Sequence, residues 1–192
     1  MDGGGTTQWH ASVTAPEWDT ELYARGGHFL QGSHWFAFQS ALDRPTFFAR
    51  GDGWSCAAYL ETGASGVPRL YCPYGPLVSS GGGLDEAVSA LSRFAARVGV
   101  TEVRVEPFGD VSEQALLDRG VRRLAKDFQP SLTWVKDLRG TTDDLLAGMY
   151  KSNRNRYRTA AARGLSFHTS TDPSDVEIFL AMSREVAVRT GT

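Results

Sequence analysis

Residues 46–72 read TFFARGDGWSCAAYLETGASGVPRLYC, and this stretch decides the fold class. Three runs, Thr46–Arg50, Trp54–Leu60 and Val67–Cys72, are rich in aromatic and branched side chains. Gly51-Asp52-Gly53 and Thr62-Gly63-Ala64-Ser65-Gly66 separate them. Short β-prone runs broken by glycine-rich turns predict an antiparallel meander.

Helical signals flank the meander. On its N-terminal side, Pro16–Arg25 reads as a helix, with proline where the first turn tolerates it and Gly26-Gly27 as the stop. Ser33 is placed to cap a short amphipathic helix that would set Trp35, Phe36 and Phe38 against a core. On the other side, Tyr71-Cys72-Pro73-Tyr74-Gly75-Pro76 forms a loop in which two prolines deny ladder hydrogen bonds. Leu84, Val88, Leu91, Ala95 and Val98 recur at three- and four-residue intervals, so 84–98 is a core-facing helix stopped by Gly99. A strand over Thr101–Glu106, a short helix over Ser112–Arg119 and a strand over Ser131–Asp137 follow. The expected class is α/β (α+β), a mixed sheet flanked by helices.

A second domain is expected to begin at 141, giving domains 1–140 and 141–192. Thr141 and Asp144 resemble a capping box for a helix running to Arg163, with Gly164 beyond it. Leu165–Thr169 reads as a strand. Ser174 and Glu177 read as the start of a last helix with Ile178, Phe179, Met182 and Val186 on its apolar face. An amphipathic helix needs a surface to pack on, so the sequence is expected to stop inside this second domain.

Composition narrows the function classes. The 192 residues are 41% hydrophobic and 22% charged, which excludes a disordered or coiled-coil chain. No apolar run reaches the roughly 18 residues a membrane span needs, and the N-terminus lacks a signal-peptide pattern. A cytoplasmic protein without an integral membrane segment is expected. Cys56 and Cys72 show neither zinc nor disulfide-framework spacing and read as buried, reduced thiols. The charge is uneven: residues 1–120 carry 8 basic and 14 acidic side chains, whereas 121–192 carry 12 and 8. The C-terminal third is therefore the part suited to a phosphate-bearing partner, although the whole chain is no general polyanion binder.

Several familiar sites are absent: no GxxxxGK[ST] loop, no GxSxG elbow, no HExxH helix. His10, His28, His34 and His168 are scattered singly, and no metal site is expected. The strongest local signal is Lys151-Ser-Asn-Arg154-Asn-Arg156-Tyr157-Arg158, continuing to Arg163. Helical spacing puts Lys151, Arg154 and Arg158 on one face, either to grip phosphate oxygens or as a solvated face balanced by Asp143 and Asp144. Glu106, at the end of what reads as a central strand, is either a base for an attacking amine or a strand-terminal acid held by Arg104 or solvent. Trp35, Tyr71 and Tyr74 either line a pocket or pack a core.

Five segments together resemble the Fem-type (FemABX) peptidyltransferases. They are Phe29-Leu-Gln-Gly-Ser-His-Trp35-Phe-Ala-Phe38, Tyr71-x-Pro73-x-Gly75-Pro76, Val103-Arg-Val-Glu106-Pro107, Gln129-Pro-Ser-Leu-Thr-Trp134 with Asp137-Leu138, and Met149…Arg154…Arg158-x-Ala160…Gly164. They occur in the family's order over roughly residues 16–165. The resemblance implies an acetyltransferase-like (GNAT-like) sheet in the first domain and the start of a second GNAT-like domain. It implies transfer of an amino acid from aminoacyl-tRNA to the stem peptide of a UDP-linked or lipid-linked muramyl pentapeptide, forming the interpeptide bridge of peptidoglycan. It also implies that this chain holds the first domain and only the opening of the second.

In that frame Glu106 is the catalytic candidate. Gln39, Trp35, Tyr71, Tyr74, Lys151, Arg154 and Arg158 are the substrate-binding candidates. Gln39 stands where the family often carries Lys, so it offers an amide without charge. An aminoacyl ester is already activated, so no cofactor is implied, and no DNA partner is. Two other readings compete. One is an acyl-CoA-dependent GNAT acetyltransferase, which wants a [QR]-x-x-G-x-[GA] loop that the sequence lacks in a strand-to-helix context. The other is a non-catalytic half-protein that binds precursor or RNA.

Overall fold

The computed structural model describes residues 7–63, 66–79, 82–108, 111–125, 127–130, 132–166 and 168–191. The chain divides into two compact units, residues 1–133 and 134–192. No helix among the described residues is long and apolar enough to cross a membrane.

The first unit is a mixed sheet flanked by helices. Its strands are β1 (Trp9–His10), β2 (Thr46–Gly51), β3 (Trp54–Thr62), β4 (Pro68–Cys72), β5 (Leu77–Val78) and β6 (Glu102–Val105). The order is β1-β2-β3-β4-β6, with β5 also on β3. The β2-β3-β4 meander is antiparallel as its turn signals predict. Among the described strand pairs only β4 and β6 run parallel, and a helix makes the crossover between them.

Alternation along β3 assigns the two faces. Cys56, Ala58, Leu70, Cys72 and Val103 face α3 (Leu84–Arg97), which buries Ala87, Ala90, Leu91, Phe94 and Ala95 against them. Trp9 stacks on Phe94 with ring centroids 4.2 Å apart. The small residues of β3 let α3 come close, and the large ones of α3 fill the space. Each buried Leu or Phe there contributes roughly 1.5–3 kcal/mol.

The opposite face carries Phe48, Ala57, Tyr59 and Tyr71 under Trp18 of α1 (Ala15–Ala24) and Phe36 of α2 (Ser33–Ala41). Of the three aromatics expected to pack from α2, Phe36 is buried, Trp35 half-buried and Phe38 exposed. Nor is Ser33 the cap. It opens the helix, and its N–H and hydroxyl both donate to Asp19 on α1, which ties the two helices together.

Gln31, in the turn between α1 and α2, replaces a missing stretch of ladder. β4 leaves β3 after Tyr71↔Tyr59, and β5 rejoins it only at Ser55. In the gap, the Gln31 side-chain oxygen accepts from Ala57 N–H at 2.8 Å. Its amide nitrogen donates to Ala57 C=O at 2.9 Å and to Pro73 C=O at 2.6 Å. The Gln31 carbonyl in turn accepts from the Trp18 indole. A primary amide has the donor and acceptor of a peptide unit, so it completes the edge of β3 and fixes the 73–76 loop. That loop contains a cis Gly75–Pro76 bond. A Cβ on Gly75 would lie 2.7 Å from both the Gln31 amide carbon and Cys72 Sγ, which is why glycine stands there.

The second unit contains α5 (Thr142–Ala147), α6 (Lys151–Thr159) and α7 (Ser174–Thr190), α4 (Glu113–Leu117) belonging to the first. The expected capping box of Thr141 and Asp144 is present. The expected single helix to Arg163 is not, because Gly148 ends α5 and Tyr150 turns extended before α6 starts. Glycine in a helix interior costs about 1 kcal/mol, which favours a break at the exposed Gly148. A short 3-10 turn, Ala161–Arg163, leads to Gly164 in the left-handed region. For α7, Asp172 rather than a Ser174–Glu177 box meets the first backbone donor. Its apolar residues Ile178, Phe179, Met182 and Val186 are exposed.

Two expected strands are absent among the described residues. Residues 132–137 and the described part of 165–169 are irregular, with Ser131 and Phe167 outside the description. Leu132, Trp134 and Val135 stand 90%, 84% and 82% exposed. β-prone residues form a strand only when a neighbour takes up their backbone groups, and no described strand does so here.

Candidate functional site

The richest polar cluster of the first unit lies where β4 and β6 end. Cross-strand register puts Tyr59 of β3, Tyr71 of β4 and Arg104 of β6 in one row on the α1–α2 face. One step back along the strands, Arg69 pairs with Glu61 and Glu102 on either side. Glu106 follows β6, which is an edge strand among the described ones rather than the central strand expected.

The Glu106 carboxylate is heavily engaged. Tyr71 Oη donates to Oε2 at 2.5 Å. The backbone N–H groups of Phe128 and Gln129 donate to Oε1 at 3.0 and 3.3 Å. The Arg104 guanidinium stands 3.7 Å away. Gln129 Nε2 donates to Tyr71 Oη, so the phenol accepts from Gln129 and passes its own proton toward Glu106. The Phe128 ring lies over the Arg104 guanidinium at 3.3 Å, and the edge of Tyr71 meets it at 5.7 Å. Segments 35 and 58 residues apart in sequence are thus fastened to one carboxylate and one phenol.

These surroundings shift the tyrosines upward. Burial pushes Tyr59 up to about 12, helped by the neighbouring Glu61. Tyr71 is raised further, by burial first and then by its bond to Glu106, so it is a donor and not a base at neutral pH. Both phenols hold their protons more tightly when folded. Their contribution to stability is complete below the ordinary tyrosine value near 10 and is lost as pH rises toward 12. The urea midpoint is therefore expected to be flat in this respect up to about pH 9 and to fall between about pH 10 and 12. Tyr59→Phe should make that fall shallower; an unchanged slope would contradict the assignment.

The other sequence candidates fall in separate places. Gln39 is buried, and its side-chain oxygen accepts from Arg44, whose guanidinium lies 5.6 Å over the Tyr59 ring. Trp35 packs beside Phe29 and Phe38. Tyr74, at φ +45°, sets its ring against His28 and Phe108. Burial holds the His28 imidazole below its ordinary value, and its Nδ1 accepts from Leu30 N–H.

In the second unit, Lys151, Arg154 and Arg158 do share a face of α6. With Asp143, Leu146, Ala147 and Asn155 they line an open groove of about 680 Å³. Arg154 is already occupied: its guanidinium donates to the Leu146 and Ala147 carbonyls at the C-terminal end of α5, the first of which also accepts from Met149 N–H. Lys151 and Arg158 are the exposed cations of the three.

Phe128 is a site residue that the sequence did not single out, whereas Arg104 was expected only as a holder of Glu106, the place it takes here. Among the described residues, no three His, Cys, Asp or Glu side chains stand together as a metal site. No family model matches the chain, and no curated protein matches it.

Proposed function

We propose that this chain is a Fem-type aminoacyltransferase domain with an acetyltransferase-like sheet. It would move an amino acid from aminoacyl-tRNA to the stem peptide of a UDP-linked or lipid-linked muramyl pentapeptide. The observation that carries the reading is the convergence of Tyr71, Glu106 and Gln129 in one hydrogen-bonded cluster. Each comes from a different one of the five segments that resemble the family.

The chemistry suits the groups present. Aminolysis of an ester needs a neutral amine, a proton acceptor and donors for the oxyanion. Glu106 is the carboxylate that can take the amine proton, and the protonated Tyr71 is a donor beside it. Both substrates carry phosphates, which suits the exposed Lys151 and Arg158. Aminoacyl-tRNA is a cytoplasmic donor, and the cytoplasm is the compartment this reading assigns.

The test is incubation of the chain with charged tRNA and UDP-linked muramyl pentapeptide, following radiolabelled amino acid into the peptide. Incorporation supports the reading. Binding without transfer supports a non-catalytic precursor- or RNA-binding module, and turnover of acetyl-CoA instead supports an acetyltransferase. In tRNA binding, Lys151→Ala and Arg158→Ala should each weaken affinity and lower the salt-dependence slope by about 1. Arg154→Ala should instead reduce helix content, read by circular dichroism, because its guanidinium caps α5. If all three variants behave alike, the division of roles is wrong.

A further inference from the structure

Residues 127–130 lie across the end of β4 and β6, fastened at few points. Phe128 and Gln129 each give a backbone N–H to Glu106 Oε1. The Gln129 side chain reaches Tyr71. The Phe128 ring covers Arg104 and the edge of Tyr71, with Arg69 5.6 Å away. Asp127 is held by Arg123 at 3.5 Å on the outer side. The segment has no regular secondary structure, and Phe128 is 46% exposed although it covers residues that are almost fully buried.

Under this strap, Tyr71 is 3% and Arg104 7% exposed. A carboxylate that already accepts two amide N–H groups and a phenol, beside a guanidinium, has little lone-pair capacity facing solvent. The Glu106 side chain keeps 17% exposure, and its two oxygens open fully to an incoming amine when those donors leave. We propose that residues 127–130 are a gate over Glu106 and Tyr71, with the Phe128 ring as its plug and the Glu106 carboxylate as its latch. What the gate admits rests on the aminoacyltransferase reading; the gate itself rests on the contacts above.

The strap opens as one body, because its bonds form a closed ring. The Gln129 backbone bonds Glu106, the Gln129 side chain bonds Tyr71, and Tyr71 bonds Glu106. Loss of the plug must therefore loosen the amide of Gln129 and uncover the phenol of Tyr71 together. Local opening of this kind is what amide exchange reads.

The experiment compares the full chain with Phe128→Ala and Phe128→Tyr. Two rates are followed: hydrogen exchange at the Gln129 amide, and nitration of Tyr71 by tetranitromethane mapped by mass spectrometry. For Phe128→Ala both rates should rise together by about tenfold, the effect of losing one ring–guanidinium contact. Phe128→Tyr should restore the wild-type rates. A rise in amide exchange with no change in Tyr71 nitration would overturn the gate, as would no change in either. A second arm adds UDP-linked muramyl pentapeptide to the wild-type chain. Faster exchange at Gln129 on binding supports the gate, and bound precursor with unchanged or slower exchange overturns it. Where the precursor does not bind, the first arm still decides the gate, while the aminoacyltransferase reading fails on its own.

Discussion

Replacing Gln31 by leucine is expected to cost about 3–6 kcal/mol, a large fraction of the roughly 5–15 kcal/mol that stabilises an ordinary domain. Leucine matches the volume of the glutamine but meets none of its bonds. The N–H and C=O of Ala57 and the C=O of Pro73 would lose this side-chain partner in a buried setting. Each buried backbone group left unmet costs roughly 1–3 kcal/mol. The loss cannot be repaired locally, because β4 and β5 are both absent from this part of the β3 edge. Gln31→Glu should be nearly as damaging, since a carboxylate cannot donate to Ala57 and Pro73. The measurement is the urea midpoint of the purified chain, or the soluble yield where the variant does not fold. A midpoint displaced by less than about 1 kcal/mol would show that water replaces the amide.

The local parts of this fold were legible and the non-local ones were not. The meander was written in its turns: Gly53, at φ +73°, sits at the tight bend between β2 and β3, as the Gly-Asp-Gly run implies. The helix over 84–97 was written in a regular apolar period that packs on one sheet face. The strand expected over 131–137 is absent among its described residues, 132–137, because strand formation needs a partner and composition alone cannot supply one. Gln31 was marked only as part of a family-like segment and its role was not legible, since its partners lie 26 and 42 residues away. The cluster at Glu106 was half legible. The carboxylate at a strand end was visible, and so was Arg104 as its neighbour. Of the strap that covers it, only Gln129 and Pro130 were marked, as the start of a family-like segment, and nothing in that placed them over Glu106. Arg154 shows the same boundary on α6. Its place on a basic face followed from helical spacing, but the carbonyls that occupy it exist only once α5 ends at Gly148.

Glu106→Gln is expected to lower stability by about 2–4 kcal/mol and amino-acid transfer by about 10²–10⁴-fold. The two effects have different origins. Glutamine keeps one acceptor and puts a donor where the other oxygen stood. Facing Tyr71, that donor meets a phenol already accepting from Gln129; facing the strap, it meets two N–H groups. Either arrangement breaks the ring of bonds and removes the negative charge beside Arg104. Tyr71→Phe separates the contributions. It removes one bond to Oε2 but leaves the carboxylate and both strap amides in place. If Glu106 takes the amine proton, Tyr71→Phe should retain more of the transfer than Glu106→Gln does, while both variants melt lower than wild type. Equal transfer in wild type and Glu106→Gln, beside a lowered melting temperature, would make the carboxylate a clamp alone. The proton acceptor would then have to be sought elsewhere, because Tyr71, its proton held by burial and by Glu106, cannot take that role near neutral pH.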